Sequence, residues 1–265
     1  MYETNYHRAS SVEEAVRLLA GAEDGKFLGG GQTLIPTMKQ RLASPSDLVD
    51  LGGIAAMKGI SDEGGAIRIG AGTPHYDVAT SDIVRNRIPG LASLAAGIGD
   101  PAVRHMGTIG GSIANNDPAA DYPSALMALG ATVVTSKREL AAEDFFQGMF
   151  DTALDEDEIV TAVIFPVPEK SAYAKYPNPA SRYAMAGVFV AKTGGMVRVA
   201  ATGAGQNGVF RIAEMESALA ANWSPSAVAG VTVDADELLS DIHGSAEYRA
   251  NLVTVMAKRA VAAAG

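Results

Sequence analysis

The chain has no cysteine among its 265 residues. Disulfides, thiolate nucleophiles and Cys-ligated zinc or iron–sulfur centres are therefore excluded within it. Histidine is sparse: His7, His75 and His243 are scattered at no ligand spacing, His105 sits in a turn-like motif, and no metal site emerges. Neither a Ser-His-Asp order nor a supported carboxylate pair is present. Basic residues are outnumbered, 21 Lys and Arg against 30 Asp and Glu, for a formal charge of -9. Nucleic acid is excluded as a default partner, because neutralising its phosphates takes a basic surface. No apolar run is long enough to span a bilayer, so no transmembrane segment is expected. The opening Met1-Tyr2-Glu3-Thr4-Asn5-Tyr6 lacks the basic-then-apolar pattern of a secretory signal, and a cytoplasmic location is the expectation.

What the chain has is apolar residues, 48% of the total, and 29 glycines. The first figure allows a substantial core, in one large domain or two modest ones. The glycines concentrate in two segments. One is Gly29-Gly30-Gly31-Gln32-Thr33-Leu34-Ile35-Pro36; the other runs from Gly107-Thr108-Ile109-Gly110-Gly111-Ser112 to Asn116-Asp117-Pro118. Glycine lets backbone N–H groups approach an anion without a Cβ in the way. Successive N–H groups in such turns form an anion-binding concavity, and two of them suit the diphosphate of a dinucleotide-type cofactor. Two familiar cradles do not fit. A Walker loop needs a lysine that neither segment has. A Rossmann fingerprint needs a glycine at the last position of G-x-G-x-x-G, where the first segment has Leu34.

Periodicity places these segments among α and β elements. Ser10 or Ser11, with Glu13 or Glu14 behind it, begins a helix with a stripe from Val12 to Leu19. Lys26–Leu28 reads as a strand, Leu34–Leu42 as a helix with Pro36 in its first turn, and Asp47–Leu51 as a strand. Ala66–Gly72, Ala131–Thr135 and Ile159–Phe165 read as strands. Thr73 opens a capped helix with Pro74 at its first position, and Leu91–Ile98 and Tyr122–Leu129 follow as helices. Beyond a proline- and charge-rich boundary at Pro166–Lys170, two strands flank Thr193-Gly194-Gly195 as a hairpin. Helices over Ile212–Leu219 and Tyr248–Ala263 close the chain. The class is α+β, with strands and helices on both sides of the boundary.

At this point the residues resemble a known family. The first segment resembles the signature A-G-G-[HQ]-S-L-[LI]-P, with Gly29 for Ala and Thr33 for Ser. Gly99-Asp100-Pro101-Ala102-Val103-Arg104-His105-Met106-Gly107-Thr108-Ile109-Gly110-Gly111-Ser112 resembles G-D-P-x-[VI]-R-N-x-G-T-[IL]-G-G-[NS], with His105 where Asn is usual. These are the two flavin signatures of the FAD-binding medium subunits of molybdenum hydroxylases, of the carbon monoxide dehydrogenase and xanthine dehydrogenase type. The resemblance continues through Asn116–Asp121 and Gly244–Arg249 and covers essentially the whole chain. It implies a two-part FAD-binding domain of the vanillyl-alcohol-oxidase type over residues 1–167, with subdomains of about 1–56 and 57–167. A smaller α+β domain over 168–265 follows.

The resemblance also implies roles. The backbone of Gly29, Gly30, Gly31, Gln32, Thr33 and Leu34, and of Thr108, Ile109, Gly110, Gly111 and Ser112, wraps the FAD diphosphate. Asp121 bonds polar cofactor atoms, or else is an exposed aspartate at a helix start. Tyr183 lies beside the isoalloxazine ring, or else is ordinary strand packing. Lys175 stands where relatives often carry basic residues, but Pro177 and Pro179 interrupt that pattern. Arg104 and His105 set turn geometry. In relatives a large subunit holds a molybdenum cofactor and a small one two [2Fe–2S] clusters, whose electrons reach the FAD and then an external acceptor. The implied assembly is a dimer of heterotrimers. A stand-alone FAD oxidoreductase and a cofactor-free assembly subunit are the competing readings.

Overall fold

The computed structural model describes all residues, 1–265, and is built from three principal sheets with helices between and around them. The first is parallel. Asp47–Asp50 lies at its centre, between Asn5–Arg8 and Gly25–Leu28. The helix Val12–Ala20 makes one crossover, and its start is capped by Ser11 and braced by Glu14. Ser11 Oγ accepts from the Glu14 N–H at 3.1 Å, and the Glu14 carboxylate accepts from the Ser10 N–H at 2.8 Å. Ala15, buried beneath it, faces the sheet.

The second sheet is antiparallel, in the order Ile60–Asp62, Ala66–Gly70, Val160–Pro166, Thr132–Thr135, Glu139–Ala141. Between its second and fourth strands the chain runs through six short helices: His75–Thr80, Asp82–Arg87, Pro89–Ala96, Pro101–Met106, Ile109–Asn115 and Tyr122–Leu129. Two expectations shift here. Pro74 is the N-cap rather than the first helical residue, because the Thr73 hydroxyl is engaged elsewhere, bonding both the N–H and the C=O of Gly59. The helix from Leu34 stops at Lys39, three residues early, because Arg41 turns left-handed at φ 62°.

The third sheet orders Lys170–Pro177, Ala184–Thr193, Met196–Thr202 and Phe210–Arg211, with the expected turn at Gly194-Gly195. Its first strand was not read from the sequence. The sheet is covered on both faces. Phe189 and Ala191 join the core of the preceding helices, while Val188 and Val190 join a second core with Leu252, Val253 and Met256 of the terminal helix Ala246–Ala264. That is why the strand Ala184–Thr193 is buried at eight successive positions instead of alternate ones. The architecture is a mixed helix and sheet fold, as the sequence implied.

Candidate functional site

The first glycine segment leaves the C-terminal end of the strand Gly25–Leu28 and turns into the short helix Leu34–Lys39. Every backbone N–H from Gly29 to Leu34 lacks a hydrogen-bond acceptor within the protein. These residues are exposed or partly buried and line a cleft, so their amides stand open to an acceptor there. Gly31 adopts φ +71°, the left-handed conformation that swings the following amides round. The Gln32 and Thr33 side chains are exposed and make no internal hydrogen bond.

The second segment meets the first directly. A Cβ on Gly30 would lie 2.1 Å from the Met106 carbonyl oxygen and 2.7 Å from Gly107 Cα, so only glycine fits. Thr108 caps the helix Ile109–Asn115, its Oγ1 accepting from the Gly111 N–H at 3.2 Å. Here the structure departs from the expectation of a second free amide turn. The Ile109 N–H donates to Thr73 O, Gly110 to Ala71 O at 2.8 Å, and Ser112 to Thr108 O. Ile109 itself is fully buried in the core, off the cleft. The segment therefore presents the Thr108 amide and the Thr108 and Ser112 hydroxyls, and otherwise serves as the wall against which the first segment is folded. Asp100 and Arg104 build that wall. Asp100 accepts from the Val103 N–H at 2.9 Å, and Arg104 Nη1 donates to Ile98 O and Gly99 O, so Arg104 does set a turn. His105 stacks on Tyr76 at 4.1 Å.

Both segments line one cleft of about 780 Å³, together with Asp121 and Tyr183. Asp121 is not an exposed helix-start residue; it is buried at the head of Tyr122–Leu129 and makes no capping bond. Its carboxylate accepts from the Tyr173 hydroxyl and from Lys175 Nζ at 3.0 Å. Burial raises the Asp121 carboxyl above the ordinary range, and these two partners act against that. Tyr183 stands half exposed at the rim, just after a loop closed by Asn178 and before its strand begins, so it is not packed as an ordinary sheet residue. Burial raises its hydroxyl, as do the charges of Asp117 and Asp121.

From the sequence, His75 and Tyr173 carry no site role, and Pro177 and Pro179 set Lys175 aside. His75 lines the cleft floor under Gly107, buried, with Nδ1 unpartnered. Burial, and then the Arg104 charge, lowers it to about 4, so it is neutral. Tyr173 and Lys175 sit two apart on the strand Lys170–Pro177 and so share one face. That alternation was the available signal, but only the partner Asp121, fifty-odd residues away, gives it meaning. No group of three or more His, Asp or Glu side chains is placed to hold a metal.

This donor set suits a phosphate-bearing ligand with polar and aromatic parts: free amides and hydroxyls, a buried carboxylate and a half-exposed aromatic ring line the same cleft. Comparison with known proteins agrees. Residues 2–168 match the family described as the FAD binding domain in molybdopterin dehydrogenase. The chain is 34% identical to the nicotine 6-hydroxylase medium subunit of Paenarthrobacter nicotinovorans, over 98% of this chain and 96% of that one. It is 36% identical to the carbon monoxide dehydrogenase medium chain of Afipia carboxidovorans, over 97% and 95%. Among solved structures, the cyanide-inactivated Cu,Mo-CO dehydrogenase superposes with a TM-score of 0.87 at 35% identity, covering 98% of this chain and 97% of that one. Quinoline 2-oxidoreductase from Pseudomonas putida 86 gives 0.88 at 27% identity, covering 99% and 97%. The chain belongs to the family of FAD-binding medium subunits of molybdopterin dehydrogenases, and is a flavoprotein subunit of an oxidoreductase complex.

Proposed function

We propose that the chain is the electron-transfer subunit of a molybdenum hydroxylase complex. A large partner carries the molybdenum cofactor and oxidises the substrate, and a small partner carries two [2Fe–2S] clusters. Electrons pass from those clusters to the flavin held here and on to an external acceptor. The lack of cysteine supports this division, because thiolate-ligated clusters then belong to another chain. So do the relatives, which are themselves named medium subunits or medium chains. The proposed assembly is a dimer of heterotrimers in the cytoplasm, and no helix is long and apolar enough to cross a membrane. The proposed fold type is the two-part vanillyl-alcohol-oxidase one. In its support, the parallel sheet ends at Asp50, the antiparallel one runs from Ile60 to Pro166, and the last sheet starts at Lys170.

FAD supplies the redox chemistry at its isoalloxazine ring; the protein supplies placement and electrostatics. In this reading the amides of Gly29–Leu34 and the hydroxyls of Thr33, Thr108 and Ser112 bind the diphosphate. Dipoles then offset the phosphate charge, which explains how an acidic chain can hold it. Asp121 accepts hydrogen bonds from ribityl or ribose hydroxyls, and Tyr183 flanks the ring system.

The observation that carries this reading is the unbroken run of unpaired amides facing the cleft. The test is a titration of the flavin-stripped chain with FAD, followed by flavin fluorescence. One saturable site is expected, lost in Gly30→Ala with the circular dichroism spectrum retained. A folded chain that binds no FAD would sink the reading in favour of an assembly subunit. Turnover of a reductant and an acceptor by this chain alone would favour a stand-alone oxidoreductase.

A further inference from the structure

Lys175 touches nothing in the cleft, yet it stands directly behind Asp121, a buried carboxylate that lines it. Its Nζ donates to Gly97 O at 2.8 Å and lies 3.0 and 3.1 Å from the two Asp121 oxygens. An ammonium has three donors, and here two are engaged, by Gly97 O and Asp121 Oδ2, with Asp121 Oδ1 close by as an ion-pair partner. Lys175 is also not among the residues that line the cleft. Asp121 differs. An ionised carboxylate accepts about four hydrogen bonds. Tyr173 and Lys175 fill part of that capacity from one side, and Asp121 borders the cleft on the other.

Both holding residues come from the third sheet, beyond the residues 2–168 that match the FAD-binding family. The same sheet also grips the turn that leads to Asp121. The Thr202 hydroxyl donates to Ala120 O at 2.6 Å, and the Gly203 N–H donates to Pro118 O at 2.8 Å. The C=O of Gly97, which Lys175 also holds, ends the helix Pro89–Ala96 just before the second signature. One side chain thus ties three separate stretches of chain together at the back of the site.

Resting on the flavin-binding reading, we propose that Lys175 is a positioning residue. It fixes the place and orientation of Asp121, and through Asp121 it makes the C-terminal sheet part of the flavin site. Lys175 acts on the flavin only by way of that carboxylate. Tyr173 shares the task from the second oxygen.

The test uses the full chain as wild type, Lys175→Met, Lys175→Arg, Asp121→Asn and the double variant Lys175→Met/Asp121→Asn. FAD affinity is measured on the flavin-stripped proteins, the midpoint potential on the loaded ones, and folding by thermal melts. Partners that orient metal-ligating side chains are worth about 10- to 100-fold, and Lys175 holds its carboxylate in the same manner. Lys175→Met should therefore weaken FAD binding about tenfold or more and shift the potential, and Lys175→Arg should restore much of both. The double variant should bind no more weakly than Asp121→Asn alone, because the lysine works only through the aspartate. Wild-type affinity and potential in Lys175→Met would overturn the proposal, as would fully additive losses in the double variant. If Lys175→Met melts too early to assay, the Asp121→Asn comparison with the double variant still decides between the two outcomes. A folded wild-type chain that takes up no FAD overturns the flavin reading itself and this proposal with it; that result is read before any variant is compared.

Discussion

Single residues decide the electrostatics of this site, and His75 shows how. It is buried among Gly107, Tyr122 and the cleft floor with one ring nitrogen unpartnered. Its folded value of about 4 lies below the ordinary 6.5, because burial and the neighbouring Arg104 both disfavour the charged ring. The unfolded chain therefore binds the proton more readily. The stability His75 permits is complete above pH 6.5 and declines as the pH falls toward 4. At pH 5 the loss should be about 2 kcal/mol. Urea unfolding at pH 7.5 and pH 5 should show wild type losing more than His75→Gln over that interval. Equal losses would remove His75 as the responsible group. From the sequence, His75 was one of several scattered histidines, because burial is not written in its neighbours. The free amides of Gly29–Leu34 were legible, since glycine spacing marks a turn that can expose them. The engaged amides of Ile109 and Gly110 were not, since their acceptors Thr73 and Ala71 become partners only when the segment folds back, and that of Ser112 is taken by the first turn of the short helix Ile109–Asn115.

At the level of elements, the cleft depends on short connections being pinned. The turn Leu154–Glu158 is an example, joining the small hairpin at Phe146–Thr152 to the strand Val160–Pro166. Glu158 has a fully buried side chain and lines the cleft. Burial alone would raise its carboxyl. The Arg138 guanidinium at 2.9 Å, the Thr135 hydroxyl at 2.6 Å and the Asp155 amide outweigh that and hold it at about 2. A depressed carboxylate contributes stability above its unfolded value of 4.5, and that contribution is lost as the pH falls toward 2. Thermal melts from pH 5 to pH 2.5 should therefore fall more steeply for wild type than for Glu158→Gln, and parallel curves would refute the assignment. Element types were well marked in the sequence where periodicity was long or capping chemistry was complete, as in Val12–Ala20 and the terminal helix. Lys170–Pro177 was missed because prolines and charges at its ends resemble a linker. Its interior is a strand because both neighbours, Ala184–Thr193 and the terminal helix, cover it.

Over the whole molecule, the third sheet joins two cores and holds Asp121 and the turn that leads to it. Arg249 is the bolt between the terminal helix and that sheet. It is buried, donates from Nη1 to Met185 O and Gly203 O at 2.8 and 2.9 Å, and meets Asp241 at 2.8 Å. Asp241 is in turn held below the ordinary range, for although burial acts to raise it, the His243 amide and Arg249 outweigh that. Gly203 is itself one of the residues that grip the Asp121 turn, and Met185 follows Tyr183 by two positions. Arg249→Met leaves two buried carbonyls unpaired, at about 1–3 kcal/mol each. A fall in Tm of several degrees is expected, together with weaker FAD binding, while Arg259→Met on the same helix should change neither. Unaltered flavin affinity in a destabilised Arg249→Met would separate this clamp from the site.

The sequence by itself determined the chemistry of the ligand-facing backbone, the α+β class and the family, because glycine, hydroxyl and capping patterns act over a few residues. Only the tertiary structure decided which amides stay free and which carboxylate is buried. It also decided that Tyr173 and Lys175 stand behind Asp121. Those depend on contacts between residues distant in the chain, more than fifty positions for Asp121 and its partners, and hydrogen-bond partners and burial exist only once the chain has folded back and the third sheet has closed over the helices that carry the cleft.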